Sequence, residues 1–265
     1  MTPHDPIRAA ADRLRTAQDD LVPCPPVRDL LGVDDIDSAY AVQDLFAERR
    51  IAAGARLAGR KIGLTSPAVQ RQLGVDQPDF GVLFDDMDVS AAAEIPVAGL
   101  LQPKIEAEIA FVLGTDLDRE IAGPDDVRDA VVHAVAALEI VDSRIAGWDI
   151  KITDTVADNG SSGLFVLGDR PLTLAEFTPA DVVMELRADG VPVSKGDGAA
   201  CLGDPLNALA WLAAGARRYG RPLRAGEVVL SGALGPMVPV TPGTRYEAEI
   251  TGLGVVTASF TKEAR

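Results

Sequence analysis

The chain has 265 residues, of which 47% are hydrophobic and 25% are charged, as in a globular protein with a substantial core. Its formal net charge of −15 argues against nucleic acid or an anionic membrane as a partner, because both require a basic surface. The sequence contains no apolar run long enough to span a bilayer, and charged residues 1–20 lack the apolar segment of a signal peptide. We therefore expect a cytoplasmic protein.

The first part of the chain is predicted to be helical. Residues 5–20 are rich in Ala, Arg and Leu, and Asp37 and Ser38 are candidate caps for a second helix. The proline-rich residues 22–26 predict a connector between these helices. From Gly59 onward, short apolar runs alternate with turns, which indicates a β-rich body. We expect an α+β fold with a helical region at residues 1–59 and a catalytic body at residues 60–265, acting as a single functional unit.

Two helices are predicted within this body. Residues 125–137 predict a helix that carries His133 as a structural histidine and leads directly into a strand at residues 138–141. A second helix begins after Asp204 and stops before Gly220. Further strands are predicted at residues 61–64, 82–84, 103–113, 163–167, 182–188, 227–231, 246–251 and 255–260. Cys24 and Cys201 are too few for a disulfide framework, so we expect them to be buried thiols without a chemical role.

Two carboxylates lie two residues apart within the apolar segment 103–113. Because side chains alternate between the faces of a strand, Glu106 and Glu108 are expected to point the same way. The opposite, buried face would consist of Ile105, Ala107, Ile109 and Phe111. Two parallel carboxylates repel each other, and a bound cation is the expected compensation.

Glu139, in the apolar residues 138–141, is the best candidate for a third metal ligand. Three carboxylates suit a hard cation, Mg²⁺ or Mn²⁺, whereas zinc prefers His and Cys. The chain has only two histidines, His4 and His133, which weakens a zinc interpretation further. The alternative is that the Glu residues line a solvated face of the sheet, and the pattern alone leaves both interpretations open.

An anionic substrate at such a site would need a cation nearby, because three carboxylates exceed the charge of one divalent ion. Lys61, Arg60 and Lys104 are the candidates, although a lone lysine is more often a solvated side chain. Asp79 lies in a segment that is typical of an ordinary turn. The polar residues 154–163 predict a loop, which could hold an oxyanion or serve only as a connection.

Six segments of the chain together resemble the 2-hydroxypenta-2,4-dienoate hydratases, which are also called 2-keto-4-pentenoate hydratases. The similarity runs from about residue 27 to residue 260, and its segments are residues 59–65, 72–81, 101–110, 137–141, 154–159 and 231–237. It implies membership of the fumarylacetoacetate-hydrolase-like superfamily, whose C-terminal body is a mixed β-roll. It also implies a divalent metal.

The resemblance implies roles for individual residues. The metal ligands would be Glu106, Glu108 and Glu139, and the catalytic residues would be Lys61 and Asp79. Ser161 matches a serine that contacts the substrate. Lys104 is a further candidate for substrate binding, and Leu64, Phe80 and Met237 are candidates for a pocket around the substrate tail.

The reaction that the resemblance implies is a hydration in the meta-cleavage degradation of aromatic compounds. The carboxylate and 2-oxygen of the substrate chelate the metal, and the dienol ketonises with a proton delivered to C5. Water then adds at C4, which gives a 4-hydroxy-2-oxo acid. Lys61 and Asp79 would manage proton transfers and anchor the substrate.

Three other functions fit parts of the pattern. Decarboxylation of 2-oxo-3-hexenedioate (4-oxalocrotonate) would use the same metal site. Hydrolysis of a C–C bond, as in fumarylpyruvate hydrolases, often needs a Glu–His pair, and the scarcity of histidine argues against it. A non-catalytic pathway partner subunit would not need the three glutamates together with Lys61 and Asp79, so the presence of all five argues against this function. Because relatives form large homo-oligomers, we expect a homo-oligomer with a small-molecule substrate and a possible pathway-enzyme partner.

Overall fold

The computed structural model describes residues 5–66, 70, 75 and 77–262. Residues 72–74 and 76, which belong to one of the segments that carry the family resemblance, lie outside the described residues. The helices are α1 (Pro6–Asp20), α2 (Arg28–Leu31), α3 (Ile36–Ala52), α4 (Asp125–Arg128), α5 (Ile152–Ala157) and α6 (Pro205–Arg218). None of the described helices is long and apolar enough to cross a membrane.

The N-terminal part is helical, as predicted, and its helices begin at aspartates. The side chain of Asp5 accepts hydrogen bonds from two backbone N–H groups in the first turn of α1. Helix α3 is capped by Asp35, whose side chain accepts from the backbone N–H of Ser38 at 3.0 Å. The predicted cap at Asp37 or Ser38 was therefore wrong by two or three residues, because both lie inside the first turn.

In the part of the chain that the structure describes, eleven strands form two sheets. They are β1 (Leu57–Gly63), β2 (Asp79–Phe84), β3 (Pro103–Leu113), β4 (Val131–Asp142), β5 (Ser162–Leu167), β6 (Val183–Ala188), β7 (Val191–Asp197), β8 (Val228–Leu230), β9 (Val238–Pro239), β10 (Arg245–Ile250) and β11 (Gly254–Ser259). One sheet has the order β2-β1-β8-β3-β4-β5 with β9 on the edge of β3, and the other has the order β11-β10-β6-β7. Strands β1 and β8 are parallel and their neighbours are antiparallel, so the larger sheet is the mixed sheet of an α+β fold.

Two predicted elements were wrong. The helix predicted at residues 125–137 ends at Arg128, and His133 lies in strand β4. Alanine-rich residues 134–137 favour a helix locally, but β4 pairs with β3 on one side and β5 on the other. Tertiary pairing and burial therefore override the local preference. The loop predicted at residues 154–163 is largely helix α5 and a tight turn, and nearly all of it is buried.

The pairing of strands brings the predicted site residues together. In the antiparallel pair of β3 and β4, Glu106 lies directly opposite Glu139. In the antiparallel pair of β1 and β2, Lys61 is opposite Gly81 and Gly63 is opposite Asp79. The alternate face of β3 is buried in the hydrophobic core, as predicted, through Ile105, Ala107, Ile109 and Phe111. The two free cysteines, Cys24 and Cys201, are buried as well.

Candidate functional site

Three carboxylates converge on one face of strands β3 and β4. Glu106 and Glu108 point the same way from β3, and Glu139 reaches the same place from β4. One oxygen of each carboxylate lies within 4.8 Å of the others. Glu108 and Glu139 are fully buried, so the alternative of a solvated sheet face is wrong.

These carboxylates have fewer hydrogen-bond donors than their buried oxygens require. Glu108 Oε2 accepts a hydrogen bond from the backbone N–H of Gly232 at 2.7 Å. Glu108 Oε1 and Glu139 Oε2 are buried and accept none from the described part of the chain. A buried anion without donors is strongly unfavourable unless a cation compensates it. The chemistry of this donor set therefore fits a hard divalent ion, which prefers carboxylate oxygens.

Burial and mutual repulsion raise the pKa values of the carboxyl groups in this cluster. Burial, together with the charge of Glu139, raises the pKa of Glu106 to about 7. Burial and the neighbouring carboxylates of Glu139 and Glu106 raise the pKa of Glu108 well above its usual value. A cation at this place would favour the deprotonated carboxylates and reverse these shifts.

Lys61 supplies the positive charge that faces the cluster. Its side chain is almost completely buried, and Nζ lies 3.1 Å from Glu139 Oε1. Burial alone would lower the pKa of Lys61, but the carboxylates of Glu139 and Asp79 outweigh it, and the pKa is raised above its usual value. Lys61 is therefore an ammonium group at neutral pH.

Asp79 lies beside Lys61 at the start of β2, with one oxygen bound and one open. Oδ2 accepts a hydrogen bond from Thr155 Oγ1 at 2.8 Å, whereas the buried Oδ1 accepts none from the described residues. Burial raises the pKa of Asp79, and the charge of Lys61 opposes this shift. Gly63 makes room for the arrangement, because a Cβ at this position would lie 2.2 Å from Asp79 Oδ1.

A turn at residues 159–161 closes the site on the side of Lys61. Asn159, Gly160 and Ser161 all have positive φ angles, of 56°, 62° and 53°. A Cβ at Gly160 would lie 2.8 Å from Lys61 Cε, so glycine allows the turn to approach the lysine stem. Ser161 is buried, and its Oγ donates a hydrogen bond to Asp158 Oδ2 at 3.2 Å.

These elements enclose a cavity of about 450 Å³. Its lining brings together six of the predicted residues, namely Lys61, Leu64, Asp79, Glu106, Ser161 and Met237. The rest of the lining is mainly apolar and includes Val141, Trp148, Ile150, Leu234 and Pro236, although Lys195 and Asp197 also belong to it. The cavity therefore combines charged groups with a predominantly apolar wall.

Comparison with known proteins identifies the family. A model of the fumarylacetoacetate hydrolase C-terminal family matches residues 63–261. The chain is 56% identical to a TodF product hydratase of Pseudomonas putida over 97% of this chain and 96% of the other. It is 55% identical to a 2-keto-4-pentenoate hydratase of Paraburkholderia xenovorans over 95% and 93%. The chain belongs to the 2-keto-4-pentenoate hydratase family.

A solved structure supports the fold of this hydratase-family protein. The 4-oxalocrotonate decarboxylase of Pseudomonas putida G7, solved with magnesium and adipate, superposes with a TM-score of 0.92 at 32% identity. The superposition covers 98% of this chain and 99% of the decarboxylase. The predicted fold class and the resemblance of the six segments are thus confirmed.

Three further candidates from the sequence, Lys104, Phe80 and Arg60, take different positions relative to the cavity of this hydratase-family protein. Lys104 does not line the cavity among the described residues, and its ammonium lies 4.1 Å from the ring centroid of Trp148, which does. Phe80 stacks on Tyr40 with ring centroids 4.4 Å apart. Arg60 follows the alternation of β1 to the other face.

There Arg60 is buried beside Glu227, with Nη1 3.6 Å from Oε2. Phe80 and Arg60 are therefore not among the described residues that line this cavity, whereas a role of Lys104 in substrate binding stays a prediction.

Sequence reasoning missed the residues that support this site. Thr155 holds Asp79, the N–H of Gly232 holds Glu108, and Arg144 forms a buried ion pair with Asp158. Thr155 and Asp158 lie in the segment that was predicted to be a loop, and the match of residues 154–159 to the family was the signal that could have pointed to them.

Proposed function

We propose that this protein is a hydro-lyase that adds water to 2-hydroxypenta-2,4-dienoate and yields 4-hydroxy-2-oxopentanoate, in the meta-cleavage degradation of aromatic compounds. The observation that carries this proposal is the buried carboxylate cluster with open acceptors, next to Lys61 and Asp79 in one cavity. The names of relatives that share more than half of their residues with this chain support the same reaction.

Glu106, Glu108 and Glu139 would hold the divalent metal, Mg²⁺ or Mn²⁺. Support comes from their open oxygens and from the magnesium in the related decarboxylase structure. The metal would supply Lewis acidity toward the 2-oxo acid end of the substrate. Gly232 fixes Glu108 through its backbone N–H, so that Oε1 is the oxygen left open.

Lys61 and Asp79 would handle the protons. The ammonium of Lys61 lies against Glu139, where it can anchor a substrate carboxylate or donate a proton to the substrate. Asp79 presents Oδ1 as an open acceptor because Thr155 occupies Oδ2. Two adjacent groups, one that carries a proton and one that can accept it, suit the ketonisation of a dienol.

The apolar wall favours a substrate with an uncharged tail over the decarboxylase alternative. A dicarboxylate would place a second charge away from the cluster. Among the described lining residues, the lysines are Lys61 and Lys195, and each is already paired, with Glu139 at 3.1 Å and Glu185 at 2.6 Å. The vinyl tail of a pentadienoate needs no such partner. Leu64 and Met237, in contact with the cavity, would lie along this tail.

The decisive experiment follows the ultraviolet absorbance of freshly generated 2-hydroxypenta-2,4-dienoate with purified protein and Mg²⁺. We expect its depletion and the appearance of 4-hydroxy-2-oxopentanoate, with no activity after treatment with a chelator. Release of CO₂ from 2-oxo-3-hexenedioate without hydration of the dienoate would favour the decarboxylase. Absence of both reactions would overturn the proposal.

We also propose that the protein acts in the cytoplasm as a homo-oligomer, with another enzyme of its pathway as a candidate partner. Within one chain, the helical region 1–59 and the body 60–265 would act as one unit. The contacts of Asp154 support this, because its Oδ1 accepts from the backbone N–H groups of Val27 and Arg28, both at 2.9 Å. Size determination in solution would test the oligomer.

A further inference from the structure

The turn that carries Ser161 is held from behind by a buried ion pair. Arg144 Nε donates to Asp158 Oδ1 at 2.5 Å, and both side chains are almost completely buried. Nη1 donates to the backbone carbonyls of Asp142 at 2.9 Å and Ser162 at 2.8 Å, and Nη2 donates to the carbonyl of Asp158. The guanidinium therefore holds, through hydrogen bonds, the side chain of Asp158 and the backbone on both sides of the turn at residues 159–161.

The turn itself is a conformation that needs such support. Three successive residues with positive φ, Asn159 to Ser161, are disfavoured for L-amino acids and persist only where the surroundings fix them. The side chain of Asn159 adds a second attachment, because it accepts from the N–H of Val82 at 2.7 Å and donates to its carbonyl at 2.9 Å. Ser161 is thereby presented to the cavity from a rigid support.

The ion pair also decides the direction in which the Ser161 hydroxyl points. Asp158 Oδ2 accepts from Ser143 Oγ at 3.1 Å, from the N–H of Arg144 at 3.1 Å and from Ser161 Oγ at 3.2 Å. In the described part of the chain, every hydrogen-bond partner of this carboxylate is a donor, and its charge is matched by the guanidinium of Arg144. Ser161 has one hydroxyl proton, and it is directed at Asp158.

We infer that Arg144 and Asp158 are positioning residues that fix Ser161 Oγ as a hydrogen-bond acceptor toward the cavity. The group that Ser161 binds must then bring an O–H donor. Two groups of the proposed reaction have one, namely the water that adds at C4 and the enol hydroxyl of the dienol. A substrate carboxylate or keto oxygen has no proton to offer and would not bind to Ser161. This inference rests on the proposed function, and it states which partner donates and which accepts in the contact with Ser161.

Ser161→Ala removes the acceptor and leaves the ion pair intact. We expect kcat for hydration to fall about 10- to 100-fold, the range seen when a reacting group loses its fixed position. Nuclear magnetic resonance of the reaction separates the two donors. If Ser161 holds the water, the dienol is still consumed and the unsaturated 2-oxo acid accumulates. If it holds the enol hydroxyl, consumption of the dienol slows as well. Either result supports the acceptor role.

The positioning role is tested by combining substitutions. In Asp158→Asn, an amide that donates as well as accepts replaces the carboxylate, so the Ser161 hydroxyl is no longer fixed as an acceptor toward the cavity. We expect kcat to fall at least 10-fold in the wild-type background and less than about 2-fold in the Ser161→Ala background, because coupled residues are not additive. If Asp158→Asn does not fold, Arg144→Lys takes its place, since it keeps the charge and loses the planar fork.

Glu227→Gln is the matched control, because it disrupts the buried pair with Arg60 on the other face of β1, away from the cavity. It should lower the melting temperature and leave kcat unchanged. Two results would overturn the inference while wild-type hydration is intact: an unaltered kcat in Ser161→Ala, or equal losses from Asp158→Asn in both backgrounds. Failure of wild-type protein to hydrate the dienoate would instead count against the proposed function.

Discussion

Two groups of buried charges beside the cavity, the acidic wall and the clamp wall, differ in how far their charges are satisfied. The acidic wall consists of Glu106, Glu108 and Glu139, and two of its oxygens have no donor among the described residues. The clamp wall consists of Arg144 and Asp158, which do not line the cavity themselves but hold the Ser161 turn from behind, and both carboxylate oxygens of Asp158 accept hydrogen bonds. Glu108, Glu139, Arg144 and Asp158 are all buried, so the difference does not lie in their solvent exposure.

The difference suits the acidic wall to binding a metal and the clamp wall to positioning the backbone. An incompletely satisfied set of anions has a free energy that a cation can lower, so the acidic wall is suited to capture a metal. A satisfied ion pair gains nothing from a ligand and instead holds its backbone in one geometry. Four substitutions test whether the acidic wall binds a metal while the clamp wall fixes the backbone.

The largest effect is expected on the acidic wall. Glu106→Gln removes one ligand, and we expect turnover with Mg²⁺ to fall by roughly 1,000-fold or more, because metal polarisation is worth several kcal/mol. Calorimetric titration should show Mg²⁺ binding lost as well. Without metal, the variant should melt no lower than the wild type, because one repelling charge is gone. Unchanged turnover would remove the assignment of the metal site.

On the clamp wall, Arg144→Met should act on stability rather than on metal binding. It leaves Asp158 as a buried, unpaired charge, and we expect the free energy of unfolding to fall by about 3–5 kcal/mol. Urea unfolding measures this value, with Glu106→Gln as the comparison. A loss below about 1 kcal/mol, or a loss that saturating Mg²⁺ restores in full, would contradict the distinction between the walls.

Thr155→Val tests the support of Asp79 between the two walls. Valine keeps the shape of threonine and removes the donor to Asp79 Oδ2, so the carboxylate is free to rotate. We expect kcat to fall about 10-fold, which corresponds to the roughly 1–1.5 kcal/mol of one hydrogen bond. Steady-state kinetics should show the loss in kcat more than in KM. Equal kinetics of variant and wild type would show that Thr155 is not needed to orient Asp79.

The smallest effect is expected at Gly160, where the turn of the clamp wall meets Lys61. In Gly160→Ala, the new methyl group approaches Lys61 Cε at 2.8 Å, and the flexible lysine stem can shift to accommodate it. The positive φ adds about 1 kcal/mol of strain. We expect kcat to fall a few-fold and the melting temperature to drop slightly. A loss as large as that of Glu106→Gln would mean that Lys61 has no freedom to move.

The sequence predicted the acidic wall better than the clamp wall. Alternation on a strand is a local rule, and it is enough to place Glu106 and Glu108 on one face. Arg144 and Asp158 follow no such rule, because the turn at residues 159–161 that they hold depends on contacts with β2 and on the buried backbone of residues 142 and 162. His133 shows the same limit, since only pairing with β3 places it in a strand.

By itself, the sequence determined the fold class, the family and the spacing of the carboxylates. These follow from periodicity within single elements and from segments that match a known family in order. Only the tertiary structure decided that Glu106 lies opposite Glu139, that Lys61 rather than Arg60 faces them, and that Ser161 donates to Asp158. The first two contacts join residues far apart in the chain and are fixed by strand register, which no local pattern encodes. The third joins residues three positions apart, but it depends on a turn that Arg144 and Val82 hold from other elements.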